Sequence, residues 1–173
     1  MYVRCIYFLK LTTQLKHTTM NNFKQDLIAG KEVEQWFALL LAKAGHTNIE
    51  FNNSTDVSEL IKWDIQCTQG KAGRTVRFEI KWDKKSTTTG NLALEFWGRS
   101  KPSGIDATTA DYFVFLTNNE FFIFETKVLK NLVKNMNFTN LCINNGTAYC
   151  YLMPKEQVRQ FAKAVLINPA SNE

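Results

Sequence analysis

Asp64, Glu79 and Lys81 are the residues whose types and spacing could do chemistry in this sequence. Glu79 and Lys81 flank Ile80 in "RFEIKW". On a strand, that alternation puts Phe78, Ile80 and Trp82 on one face and the two charges on the other. Upstream, "IKWDIQ" carries Asp64 between Trp63 and Ile65, in phase with Lys62 and Gln66. The two glycines of "TQGKAGR" predict a hairpin turn between the runs. Antiparallel pairing would then present Asp64, Glu79 and Lys81 together. Two close carboxylates repel, and a divalent cation relieves the repulsion. Magnesium is bound in this way, by one or two carboxylates with waters and phosphate oxygens. A neighbouring lysine could orient or help deprotonate a water and offset charge on a scissile phosphate.

The elements that must position these groups follow from periodicity. From Phe23 to Ala44, Leu27, Val33, Trp36, Phe37, Leu40, Leu41 and Ala44 recur at helical spacing, and Gly45 stops the run. Strands are predicted over Asn48 to Asn52, Leu60 to Thr68, Thr75 to Trp82 and Leu92 to Trp97. "GRSKPSGIDATTA" reads as a loop, or as a short helical turn after Ser103. "YFVFL" and "FFIFE", joined by "TNNE", read as a hairpin of buried strands. "ETKVLKNLVKNM" predicts a helix with Val128, Leu132 and Val133 inward. "AYCYLMP" predicts a final strand, and Pro154 opens a last helix, "KEQVRQFAKAVL". The order α-β-β-β-β-β-β-α-β-α predicts an α/β domain with a central mixed sheet.

Asp64, a turn, and Glu79-Ile80-Lys81 together resemble the D…(D/E)xK signature of the PD-(D/E)xK nuclease superfamily, which includes restriction endonucleases and archaeal Holliday junction resolvases. Trp63 stands where that signature often has proline. The resemblance implies a restriction-endonuclease-like core, a mixed sheet flanked by helices and entered through a helix that supplies another glutamate. "AGKEVEQWFALLLAKAG" is similar to that helix, and its spacing selects Gly30 and Glu34, with Glu32 the alternative. Glu34 shares a helical stripe with Ala38 and Leu41, which would leave it partly buried against the sheet. "TGNLALEF" and "PSGIDATTADYFVFL" resemble phage and bacterial nuclease-like proteins of the same superfamily. There, Asn91, Glu95 and the Ser103-Gly104 loop would border the catalytic face.

What the resemblance implies is a magnesium-dependent DNA endonuclease, with manganese able to substitute. Asp64, Glu79 and the carbonyl of Ile80 would bind metal, Glu34 would complete or order that shell, and Lys81 would position the attacking water. Lys84, Lys85, Asn91, Arg99, Lys101 and Ser103 are the candidate DNA contacts, while Glu95 is equally well read as a polar strand edge. Asp83 is expected to be a solvated turn charge. The expected enzyme is structure-selective or accessory, of phage or mobile-element type, and a homodimer if resolvase-like. The rival reading is a non-catalytic nucleic-acid-binding module that keeps the nuclease fold. A third reading leaves the polar strand face simply solvated.

Bulk properties fit these readings. A composition of 45% hydrophobic residues is globular rather than disordered. The net charge of +5 suits a polyanionic partner. Lys71, Arg74, Arg77, Lys81, Lys84, Lys85, Arg99 and Lys101 concentrate it around the charged strand. The four cysteines are scattered, without a CxxC pair or a histidine cluster, which argues against zinc. Cys67 and Cys150 read as buried apolar residues in a reducing cytoplasm, bacterial or phage-infected. His17 and His46 are isolated. No apolar run approaches the roughly 18 residues that cross a bilayer, so no membrane partner is expected. Residues 1–22 are read as an N-terminal extension or an added strand, with Met20 a natural domain start. Residues 23–168 are read as a single domain and residues 169–173 as a disordered tail.

Overall fold

The computed structural model describes residues 22–70, 73–118, 120–143 and 146–167. The readings of residues 1–21 and 168–173 therefore lie outside the described residues. A long helix, α1 (Asn22–Lys43), leads into β1 (Thr47–Phe51), a one-turn helix α2 (Val57–Leu60), and the hairpin β2 (Ile65–Gln69) and β3 (Arg74–Trp82). Next come α3 (Ser86–Thr89), β4 (Asn91–Gly98), β5 (Lys101–Pro102), a 3-10 turn (Gly104–Asp106), β6 (Tyr112–Leu116) and β7 (Glu120–Glu125). The chain continues through α4 (Thr126–Asn135), β8 (Thr139–Ile143), β9 (Ala148–Pro154), α5 (Lys155–Arg159) and β10 (Ala164–Ile167).

A six-stranded sheet runs in the order β1-β2-β3-β6-β7-β10. Every neighbouring pair in it is antiparallel except β3 and β6, which are parallel. The molecule is thus mixed α/β with a mixed central sheet and flanking helices, as the element order predicts. A parallel pair needs a long crossover. Here that crossover contains β4, which belongs to a second sheet ordered β5-β4-β9-β8.

The two faces of the six-stranded sheet are covered differently. Phe78, together with Ile80 and Trp82, packs under α1, where Val33, Phe37 and Leu41 are buried at helical spacing. Phe37 meets Phe78 edge-on at 5.2 Å. On the opposite face, Phe113, Phe115, Phe122 and Phe124 meet Leu92, Leu94 and Met153 of the second sheet, Leu129 and Leu132 of α4, and Val158 of α5. Each such buried side chain stabilises the fold by about 1.5–3 kcal/mol relative to exposure. Gly45 ends α1 at a φ of 86°, with its N–H on the Ala42 carbonyl and that of His46 on the Leu41 carbonyl. That is the left-handed cap that glycine makes at low cost. Cys67 and Cys150 are buried free thiols.

Several expectations need correction. The strand foreseen from Leu60 begins only at Ile65, because Asp56 caps α2 by accepting the N–H of Ser58 and the chain turns through Ile61 and Lys62. The last helix ends at Arg159, and "AVLI" leaves it to pair with β7 as an edge strand. Thr139–Ile143 forms a strand with no counterpart in the predicted order. Trp36 points outward and is 40% exposed, since the buried stripe of α1 runs through Val33, Phe37 and Leu41 instead. Asp83 is not a solvated turn charge. Its carboxylate is buried and accepts the N–H of Ser86 (3.1 Å) and of Ala93 (2.7 Å), tying the end of β3 to the start of β4.

Among the described residues no helix is long and apolar enough to cross a membrane. The Asp83 clamp makes a direct prediction. Asp83→Ala leaves two backbone donors without their charged acceptor and should destabilise the fold by about 2–3 kcal/mol. In urea unfolding the midpoint should fall with an unchanged slope. A loss below about 0.5 kcal/mol, the range of ordinary surface changes, would return Asp83 to the solvated role.

Candidate active site

The β2–β3 hairpin builds the centre of the site. Ile65 pairs with Phe78, and one step further the N–H of Asp64 donates to the Phe78 carbonyl at 2.8 Å, which sets Asp64 across from Glu79. The carboxylate of Asp64 turns over the partner strand. Its Oδ2 accepts the N–H of Ile80 at 2.6 Å, so the peptide between the motif's two charged residues is tied to the motif aspartate. Glu79 and Lys81 share the β3 face that carries Arg77, opposite the face of Phe78 and Ile80.

A loop before β6 braces Glu79 from the other side. The hydroxyl of Thr108 lies 2.8 Å from the Lys62 carbonyl and 3.3 Å from Glu79 Oε2. The same carbonyl accepts the N–H of Thr109 at 2.9 Å. The segment just upstream of Asp64 is therefore bolted to the loop that touches Glu79. Thr108 is fully buried, and no spacing rule points to it in the sequence; only the tertiary contact does.

The electrostatics show how closely the acids are gathered. Burial pushes the Glu34 carboxyl up to about 7, the charge of Asp64 adds to the rise, and Lys31 opposes it. Burial likewise pushes Asp64 up to about 6, against the pull of the Ile80 N–H and of Lys81. Glu79 is driven well above the usual carboxylate range by burial, then by Asp64, with Lys81 and Thr108 opposing and Glu34 adding. Glu34, Asp64, Glu79 and Lys81 thus feel one another across a shared, poorly solvated space. Of the two helix candidates, Glu34 is half-buried and joins this cluster, whereas Glu32 is exposed.

A hard divalent cation fits the chemistry of this donor set, because carboxylate oxygens are its preferred ligands and excess buried negative charge is what it relieves. Asp64, Glu79 and the Ile80 carbonyl would hold it. Among the described residues, no three His, Cys, Asp or Glu side chains stand at metal-ligand spacing as they lie. Magnesium sites commonly take only one or two carboxylates and keep several waters.

The remaining candidates fall on the β4 side. Glu95 accepts the hydroxyl hydrogen of Ser103 and sits directly across from Cys150. Burial and the charges of Glu95 and Asp83 push the Cys150 thiol up to about 11, while Lys81 pulls it down. Glu95, Asp83 and Lys81 therefore all act electrostatically on one buried thiol, which Glu95 faces across the strand pair. The turn beyond is close-fitting: a Cβ at Gly104 would lie 2.2 Å from the Glu95 carbonyl oxygen. Lys84 lies over the Trp82 ring at 4.5 Å, and Asn91 bonds back to Thr89. Lys85, between β3 and β4, and Arg99 and Lys101, beyond the far end of β4, are exposed.

Raised carboxyl values have a sign for stability. The folded Glu34 and Asp64 hold protons that the unfolded chain releases, so stability should fall as pH rises from about 4.5 to about 7. Thermal melts across this window should show the wild type losing midpoint with pH and Glu34→Gln losing less. Parallel curves would mean that Glu34 titrates as an ordinary surface acid. Comparison of the chain with protein-family models, with curated proteins and with solved structures finds no match in any of the three.

Proposed function

We propose that the chain is a divalent-metal-dependent endonuclease of DNA, built on a restriction-endonuclease-like core. The observation that carries this reading is the convergence of Asp64, Glu79 and Lys81 from one hairpin with Glu34 from α1. When bound, magnesium would supply positive charge at the phosphate undergoing hydrolysis. The chain's own residues supply the rest. The Ile80 N–H orients the Asp64 carboxylate. Thr108 steadies Glu79. The Lys81 ammonium, exposed at the mouth, orients the attacking water and offsets charge on the phosphate. Glu34 orders the inner carboxylates, and burial raises its affinity for a proton so that it titrates near neutrality. We further propose a structure-selective, resolvase-like enzyme that acts as a homodimer, with manganese able to replace magnesium.

One observation favours a second reading, a nucleic-acid-binding module without catalysis. The Asp64 carboxylate is already engaged by a backbone N–H, and among the described residues no three acids stand ready at ligand spacing. The two readings separate in one experiment. Duplex, single-stranded, flap and four-way-junction DNA are incubated with magnesium or manganese and with wild type, Glu79→Ala or Lys81→Ala. Wild type should cut at least one substrate, and each substitution should slow cutting by at least about 100-fold. Cutting that survives both substitutions sinks the site, and binding without any cutting establishes the module.

A further inference from the structure

Beside Thr108 lies a cavity of about 390 Å³ lined among others by Arg74, Thr109, Asp111, Lys127 and Lys130. We propose that this cavity and the adjacent Arg77 form a second nucleic-acid subsite, which holds the sugar–phosphate backbone of the substrate strand as it leaves Glu79. The proposal rests on the nucleic-acid reading above and adds the path of the strand.

Continuity with the acid cluster is direct. Thr108 is one wall of the cavity, and its hydroxyl lies 3.3 Å from Glu79 Oε2. Arg77 projects from the same face of β3 as Glu79, roughly 7 Å along the strand. The N–H of Arg77 is in turn held by Asp111 in the cavity wall, at 2.9 Å.

The charge balance favours a polyanion. Both oxygens of Asp111 are occupied, one by Arg74 at 3.0 Å and the other by the Arg77 N–H, so Asp111 fixes an arginine arm rather than repelling a phosphate. Glu125, on the rim, lies between Lys127 at 3.0 Å and Lys163 at 3.5 Å. Arg77 and Lys130 have no carboxylate partner among the described residues. The Arg77 guanidinium lies over the Trp63 ring at 5.3 Å, and Lys130 Nζ donates to the Thr108 carbonyl at 3.3 Å. Five cations thus face two carboxylates. Arg77, which projects beside Glu79, and Arg74 share Asp111, so the basic lining begins next to the acid cluster and continues into the cavity. Lys84 and Lys85 follow the other end of β3, so cations stand beyond Glu79 in both directions along the strand.

Fluorescence anisotropy of labelled single-stranded and duplex oligonucleotides, in EDTA to prevent cutting and across a salt series, tests the subsite with the full chain. The doubly substituted Arg74→Ala, Lys130→Ala protein should bind about tenfold more weakly, with a salt slope shallower by about 1.4–1.8. Arg74→Lys should recover part of the loss, and an unchanged thermal melt would show that the fold is intact. Wild-type affinity and slope in the double variant would overturn the subsite while leaving the nuclease reading in place. Competition by millimolar inorganic phosphate that matches competition by the oligonucleotide would also overturn it, in favour of a small-anion site. A variant that loses slope in a protein that never cuts DNA would keep the subsite and sink the nuclease. Wild type that binds no nucleic acid would sink both.

Discussion

Burial of three neighbouring carboxylates, Asp64, Glu79 and Glu34, is the constraint the surrounding structure exists to contain. Ionised carboxylates in a poorly solvated space cost several kcal/mol unless they are paired, protonated or neutralised by a cation. One ammonium, Lys81, and one backbone N–H, from Ile80, do not balance three acids. The cluster persists because two hydrophobic cores clamp its supports from opposite faces of the sheet. Val33, Phe37 and Leu41 fix α1 against Phe78, so Glu34 cannot swing away without unpacking aromatic rings. On the other face, Leu92, Leu94 and Met153 lock the second sheet over Phe113 and Phe115.

The location of the acids follows from where that second cover stops. Along one face of the central sheet, Phe113, Phe115, Phe122 and Phe124 are buried, while Arg77 and Glu50 on β3 and β1 are exposed. β3 lies at the boundary. Of its alternating residues Arg77, Glu79 and Lys81, the outer two are exposed and the half-buried Glu79 between them is the one that Thr108 braces. Such a boundary gives a carboxylate a raised proton affinity without sealing it from a substrate. The crossover between β3 and β6 generates the boundary, because the chain fills it with a sheet that covers part of one face. Asp83 secures this arrangement at its first step, by holding the N–H of Ala93.

The parts legible in the sequence were those governed by local period. The alternation in "RFEIKW" placed its apolar and charged faces correctly, and the glycines of "TQGKAGR" marked a real hairpin. The stripe of α1 was readable enough to foresee a partly buried Glu34, because three- and four-residue spacing decides which side of a helix is buried. What failed was set by tertiary contact. "KEQVRQFAKAVL" has helical character to its end, yet the edge of β7 offered its last residues a strand partner. Trp36 looked like core because it follows Val33 by three residues, but the buried stripe runs through Val33, Phe37 and Leu41. Asp83 looked like a turn charge because nothing local announces that Ala93 will come within 2.7 Å.

Thr108 and Asp111 show the same limit at the site itself. Both sit in "DATTAD", a stretch with no period and no metal-ligand spacing. Their importance comes from the parallel pairing of β3 with β6, which brings Phe78 beside Tyr112 and so delivers the preceding loop to Glu79 and Arg77. A parallel neighbour is chosen by the whole crossover, so its loop residues carry no local mark of what they will touch. The hairpin supplies charged groups that its own sequence announces. The strand laid beside it supplies the groups that hold them still, and these become visible only once the chain has closed.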